Sequence, residues 1–232
     1  LRSQQDKDYI ISNVSDPYSI SNFATQDELY ELEDLFNNSN DKVYKSTGPI
    51  TLTIKNYNIP IISRMIDKIH NIYPDCNIWS TQLFYVEKPH IIHNDDSRKR
   101  WPKLYKAFNI PITYTGPEDP YLCFFDQLYL DGPSKFFNGE TDIKTWYNTI
   151  IYDYKDVYNK SNRQFPNNIK EEYLSHLKDN WLEFLSFNKA CRWHPTDAIV
   201  FDCCRLHCAS NFIKQNITSK LGLSIFTERT VY

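Results

Sequence analysis

Apolar positions along the chain fall into two periods. Leu29, Leu32, Leu35 and Phe36 recur at helical spacing. Thr25-Gln26-Asp27-Glu28 stands just before them with the Thr and Glu of a capping box, so a short amphipathic helix is expected there. Ile61, Ile62, Met65, Ile66, Ile69 and Ile72 form a second stripe, with Asn58 as the expected cap and Pro74 as the stop. Both helices should pack on one face of a sheet. Residues 10–23, where Ile10, Ile11, Val14 and Ile20 lie between turn formers, read as extended.

Elsewhere the period is two or the run is β-branched and aromatic. Residues 50–56, 77–86, 107–113, 121–130, 198–203 and 221–227 read as strands. Helices are not regularly interleaved with them, which favours an antiparallel sandwich or jelly roll over a parallel α/β sheet. The class is α+β, mainly β, in one domain over 1–232. Residues 131–192 interrupt the strands. They open on the turn signal Asp131-Gly132-Pro133-Ser134, carry Tyr147, Tyr152, Tyr154 and Tyr158, and turn helical from Asn168. This segment reads as a partly helical insertion folded onto the barrel, either a lid over a site or a structural flank.

Composition narrows the functional classes. The chain has 232 residues, 24% charged and 41% hydrophobic, which is globular and not disordered or fibrous. No run of 18 apolar residues occurs, so no membrane span is expected. The net charge of −3 lacks the basic excess of a general nucleic-acid binder, and nucleic acid is not expected as a partner. Six cysteines at 76, 123, 191, 203, 204 and 208 do not space like a disulfide framework. Reduced thiols and a cytoplasmic setting are the expectation. The chain opens on Leu1-Arg2 and not on Met, as one trimmed at its N-terminus would. Nothing here bears on oligomeric state.

Candidate chemistry centres on His93-Asn94-Asp95. In an extended segment residues i and i+2 point to one face, so an imidazole and a carboxylate could grip one metal ion. Such a pair is weak on its own, because six His and 29 acidic residues make it common by chance. A third ligand must come from His194 or from His207, which ends the apolar run Ala198–Phe201 and the residues after it. Two imidazoles and one carboxylate would leave three octahedral positions open, a set that suits non-haem Fe(II). Along Lys220–Phe226 period two puts Lys220, Gly222 and Ser224 on one face and Leu221, Leu223 and Ile225 on the other. A lysine and a hydroxyl separated by the room glycine leaves could hold a carboxylate. Two rival readings stand beside this one. The thiols near His207 could bind zinc, or the barrel could be a binding module with a vestigial site.

The order His93-x-Asp95, then His207, then Lys220 on the following strand resembles the Fe(II)- and 2-oxoglutarate-dependent dioxygenases. It is most similar to their prolyl-hydroxylase-like branch, many of whose members are bacterial or phage proteins. Trp193-His194-Pro195-Thr196-Asp197 and the strand after it are similar to that family's Pro-Gly-Asp turn, except that Thr196 stands where Gly is usual. That turn is therefore expected to be built differently. Lys220 stands where many members have Arg. The resemblance implies a double-stranded β-helix over most of the chain except 131–192. It implies Fe(II) on His93, Asp95 and His207, with Lys220, assisted by Ser224, on the distal carboxylate of 2-oxoglutarate, and Tyr85 reaching the same co-substrate. It also implies that O2 is consumed, that 2-oxoglutarate becomes succinate and CO2, and that a substrate C–H is hydroxylated. The substrate would be a small molecule or a peptide. Arg98, Lys99, Arg100, Trp101 and Lys103, just after the His-x-Asp, hint at an anionic one.

Overall fold

The computed structural model describes residues 3–44, 48–96, 104–132, 134–136, 150–151 and 157–229. In chain order its elements are α1 (Gln4–Asn13), β1 (Tyr18–Ile20), α2 (Gln26–Asn38), β2 (Ile50–Thr53), α3 (Pro60–Ile72), β3 (Cys76–Val86), β4 (Leu104–Tyr114), β5 (Tyr121–Tyr129), β6 (Lys135–Phe136), β7 (Ile150–Ile151), β8 (Val157–Tyr158), α4 (Asn167–Tyr173), α5 (Asp179–Leu182), β9 (Phe187–Arg192), β10 (Ala198–Asp202), β11 (Arg205–Ala209) and β12 (Lys220–Arg229).

Six strands form one antiparallel sheet in the order β1-β10-β4-β12-β3-β2. A smaller sheet runs β11-β5-β8, with β9 also paired to β5. His93 adds to its β11 edge through an isolated bridge to His207. This is the double-stranded β-helix, or jelly roll.

The period-two pattern of β12 divides the interior. Leu221, Leu223 and Ile225 enter a core shared with α2 and α3, including Leu29, Leu32, Ile62, Met65 and Ile69. The α3 stripe is buried from Ile61 to Ile69, while Ile72 is exposed. Phe226 faces the other way, into the space between the sheets, with Phe124, Trp193, Ile199 and Phe201. The helices therefore cover the outside of the large sheet, and the two sheets enclose a second, aromatic core. Burying such large rings is the main stabilising term in that layer.

The capping box forms as expected: Thr25 Oγ1 accepts the Glu28 N–H at 3.2 Å, and Glu28 Oε2 accepts the Thr25 N–H at 2.8 Å. Three local expectations fail. Residues 10–13 are helical, not extended, because α1 is capped by Ser3 and lays Ile10 and Ile11, followed by Val14, against Leu128, Leu130 and Cys204. Asn58 does not cap α3. The helix starts at Pro60 after Ile59 without a side-chain cap, and proline's missing N–H leaves one less donor to satisfy. The helix expected from Asn168 is two short helices.

Within 131–192, Phe187–Arg192 is a full strand of the smaller sheet. Leu174, Leu177, Trp181, Leu182 and Leu185 bury against that sheet's outer face, on Cys123, Phe125, Leu206 and Cys208. Tyr147, Tyr152 and Tyr154 lie outside the described residues.

The turn before β10 is where residue chemistry and backbone disagree. Asp197 N–H reaches His194 C=O at 3.2 Å, and Thr196 sits at φ 77°. Glycine is the usual occupant of that left-handed position. The expectation of a differently built turn is corrected: Thr196 adopts the glycine conformation. Its carbonyl accepts the Ala24 N–H at 2.9 Å, which ties the turn to the segment before α2.

Candidate metal centre

Three elements bring the site together. His93 and His207 exchange both backbone hydrogen bonds, at 3.0 and 2.9 Å. The Asp95 N–H donates to Cys203 C=O at 2.9 Å, on the turn between β10 and β11. Each imidazole places Nδ1 on a carbonyl two residues earlier, His93 on Ile91 at 2.8 Å and His207 on Arg205 at 2.9 Å. With Nδ1 so engaged, Nε2 of each ring faces the carboxylate: 3.7 Å from Asp95 Oδ1 for His93 and 3.4 Å from Oδ2 for His207. Holding one ring nitrogen on a carbonyl fixes the tautomer and orientation that a metal-binding histidine needs.

Ligand atoms of these three residues all lie within 4.8 Å of one another. Among the described residues they are the one His/Cys/Asp/Glu group of three or more that does so. Both histidines are buried. Burial, reinforced by His90 and His207, holds His93 well below the usual imidazole range, so its ring is neutral and can donate a lone pair. Burial would raise Asp95, but His207 and His93 outweigh it and hold the carboxyl below its ordinary value. A ring of His90 lies 4.1 Å from that of His93, and Phe201 lies 4.6 Å from His207. Two imidazole nitrogens and one carboxylate oxygen converging from one side fit a divalent transition metal and leave its far side open.

The other candidates separate clearly. His194 is not near this group. Its Nδ1 sits 3.0 Å from Asp119, a buried carboxylate that also takes the Tyr114 hydroxyl and the Arg192 guanidinium. All six cysteines are buried and outside any disulfide, and the thiols of Cys203 and Cys208 are pushed well up by burial, so they are poor zinc ligands.

Lys220 is buried, not facing water at a strand mouth. Its ammonium stands 4.0 Å from the Trp193 ring centre and 5.2 Å from that of Phe212. Among the described residues no carboxylate pairs with it, and burial pulls its pKa down to about 7. Trp193 belongs to the aromatic core that also holds Phe124 and Phe201, the two rings beside His207. Lysine and metal-type ligands thus belong to one barrel interior.

Two expectations about this pocket need correction. The room at Gly222 is filled by rings: a Cβ there would lie 2.6 Å from Phe84 and 2.8 Å from Trp193. Ser224 lies beyond that fill. Its hydroxyl is 3.4 Å from Asn109 Nδ2, and Asn109 Oδ1 accepts the Trp193 indole N–H at 2.6 Å. Tyr85 is on the wrong face. It pairs across from Leu221, not Lys220, packs toward the helices, and donates its hydroxyl to Glu87 at 3.2 Å. The basic loop residues Arg98, Lys99, Arg100, Trp101 and Lys103 lie outside the described residues.

Beside Asp119, sequence reasoning missed a residue within the site itself. Asn94, between the two ligand positions, is fully buried and spends its whole side chain on the start of the β5–β9 connection. The sequence signal was its position inside His-x-Asp. Its partners lie 35 to 40 positions away.

No protein-family model matches this sequence, and a search of curated proteins finds no match. Solved structures do match in fold. A carbocyclase from nogalamycin biosynthesis, SnoK, described as non-haem and α-ketoglutarate-dependent, superposes with a TM-score of 0.56 at 10% identity, over 98% of this chain and 84% of that one. HygX from Streptomyces hygroscopicus, solved with nickel and 2-oxoglutarate, gives 0.54 at 11% identity, over 100% and 89%. The viral collagen prolyl hydroxylase of Paramecium Bursaria Chlorella virus-1, in a 2-oxoglutarate complex, gives 0.51 at 8% identity, over 92% and 95%. The fold implied by the sequence resemblance is the fold these structures share with this chain.

Proposed function

We propose that this protein is an Fe(II)- and 2-oxoglutarate-dependent oxygenase that hydroxylates a C–H bond of a small molecule or peptide. The observation that carries the reading is the convergence of His93, Asp95 and His207 in the same barrel as a buried lysine with no carboxylate partner among the described residues. Iron, when bound with 2-oxoglutarate and O2, supplies the oxidative decarboxylation to succinate and CO2 and the attack on the substrate C–H.

The chain's own residues do the rest. His93, Asp95 and His207 hold the metal on one side. The carbonyls of Ile91 and Arg205 keep both rings turned toward it. Lys220, charged when a carboxylate arrives, anchors the far end of the diacid as a point charge rather than as a bidentate fork. Phe124, Phe201 and Trp193 keep that interior dry, which strengthens the lysine–carboxylate attraction.

HygX has also been solved with hygromycin B, and SnoN, an epimerase of the same fold, with nogalamycin RO. By analogy of fold alone, a small molecule is a suitable first class to screen. Among the described residues no helix is long and apolar enough to cross a membrane. Six cysteines outside any disulfide accord with a cytoplasmic setting.

The test is anaerobic reconstitution with Fe(II), followed by O2 and 2-oxoglutarate. Succinate should form, and Asp95→Ala should abolish it. Tight stoichiometric zinc with no iron-dependent succinate would overturn the reading.

A further inference from the structure

Asn94 is the best-bonded side chain near the candidate centre, and what it bonds to is not the centre itself. Its Nδ2 donates to the carbonyls of Tyr129 at 3.2 Å and Gly132 at 3.1 Å. Its Oδ1 accepts the Ser134 N–H at 2.7 Å and the Ser134 hydroxyl at 3.1 Å. Its own N–H donates to Ser134 C=O at 3.2 Å. A carboxamide has two donors and two lone pairs, and all four are used. Aspartate would lose both donors and place charge against two carbonyls. Serine is too short to reach both sides.

The residues it grips open the connection between β5 and β9. The same stretch is held from a second direction, because the Tyr129 N–H donates to Cys204 C=O at 3.0 Å while Asp95 N–H donates to the adjacent Cys203 C=O. Asn94 and Ser134 both have no solvent exposure. Among the described residues the Asp95 carboxylate itself meets only the two imidazoles. Its direction is therefore set by the backbone at 93–95, which is held by its own bonds to His207, Cys203 and Ser134 and, between the two ligand positions, by the side chain of residue 94.

We propose that Asn94 is a positioning residue: it clamps the start of the β5–β9 connection to the His93–Asp95 strand, so that metal affinity depends on the placement of Ser134, a residue that ligates nothing. The proposal rests on the metal-site reading given above. In physical terms the Ser134 contacts are outer supports of the ligand set, and losing supports of that kind costs on the order of 10- to 100-fold in metal affinity.

The experiment measures Mn(II) affinity by titration calorimetry, together with urea unfolding of the metal-free proteins. Wild type, Asn94→Ala, Ser134→Ala, the double variant and His207→Ala are compared. Asn94→Ala should weaken Mn(II) binding about tenfold or more. Ser134→Ala, which keeps its backbone bond to Asn94, should weaken it several-fold with little change in the unfolding midpoint. The double variant should bind no more weakly than Asn94→Ala, because both changes cut one connection. If Asn94→Ala does not fold, Ser134→Ala decides alone.

Unchanged Mn(II) affinity in folded Ser134→Ala, or losses that multiply in the double variant, would overturn the clamp while leaving the metal site standing. A purely structural role would shift the unfolding midpoint and leave the affinity of the folded protein as it was. Wild type that binds no Mn(II), with His207→Ala no different, would overturn the clamp and the metal-site reading together.

Discussion

Replacing Lys220 by Met separates the cost of burying a charge from its use. Methionine keeps an apolar stem against Trp193 and Phe212 and removes the ammonium. The lysine pKa falls from 10.5 to about 7 in the folded protein. That interval corresponds to about 5 kcal/mol. The sign follows from proton counting. Below pH 7 the lysine is protonated in both folded and unfolded chains, and the native state carries the full burial penalty. Between about 7 and 10.5 the unfolded chain binds the proton and the native state does not, so wild-type stability rises with pH.

From pH 6 to pH 9 that rise is about 3 kcal/mol, and Lys220→Met lacks it. Urea unfolding of both proteins at the two pH values measures the difference. The variant should gain more over wild type at pH 6 than at pH 9, by roughly that amount. The 2-oxoglutarate affinity runs the other way. Only the charged lysine pairs with a carboxylate, so wild-type affinity should fall about 100-fold from pH 6 to pH 9. Lys220→Met should bind weakly at both. An identical stability gap at pH 6 and pH 9 would refute the reasoning, because it would mean that the ammonium is not held in an apolar box.

Three further outcomes are expected. Thr196→Gly should stabilise by about 1 kcal/mol in thermal or urea unfolding, because a β-branched residue at φ 77° is strained and glycine is not. Gly222→Ala should destabilise by roughly 1–3 kcal/mol, since its methyl would overlap Phe84 and Trp193 and must displace one ring; 2-oxoglutarate binding by calorimetry should weaken with it. Tyr85→Phe should leave 2-oxoglutarate affinity within about twofold of wild type, because the phenol points at Glu87 on the helix side of the sheet.

The convergence of His93, Asp95 and His207 was legible because its parts are local signals. His93 and Asp95 share a face by spacing, and a buried strand leads to His207. Lys220 was legible by period two. Tyr85 was misread for a related reason: counting places it on the neighbouring strand, but only the register shows that it stands opposite Leu221 and that Val86 stands opposite Lys220. A one-residue step changes the face. Ser224 was placed on the correct face, yet its hydroxyl engages Asn109, a partner 115 positions away. Asp119 and Asn94 were invisible for the same reason, since a buried polar residue declares itself only through the partners that satisfy it. Thr196 shows the converse. The residue type argued against a left-handed turn, and the tertiary bond to Ala24 accompanies one all the same.

The reciprocal backbone pair between His93 and His207 has a consequence for biosynthesis. During translation the first histidine and the aspartate leave the ribosome long before the second histidine exists. A chain arrested anywhere short of residue 207 has two of the three converging side chains and no strand to hold them in shape. All three side chains can then meet on one metal ion only after the chain has passed residue 207, so the site is completed late, by pairing of two distant segments.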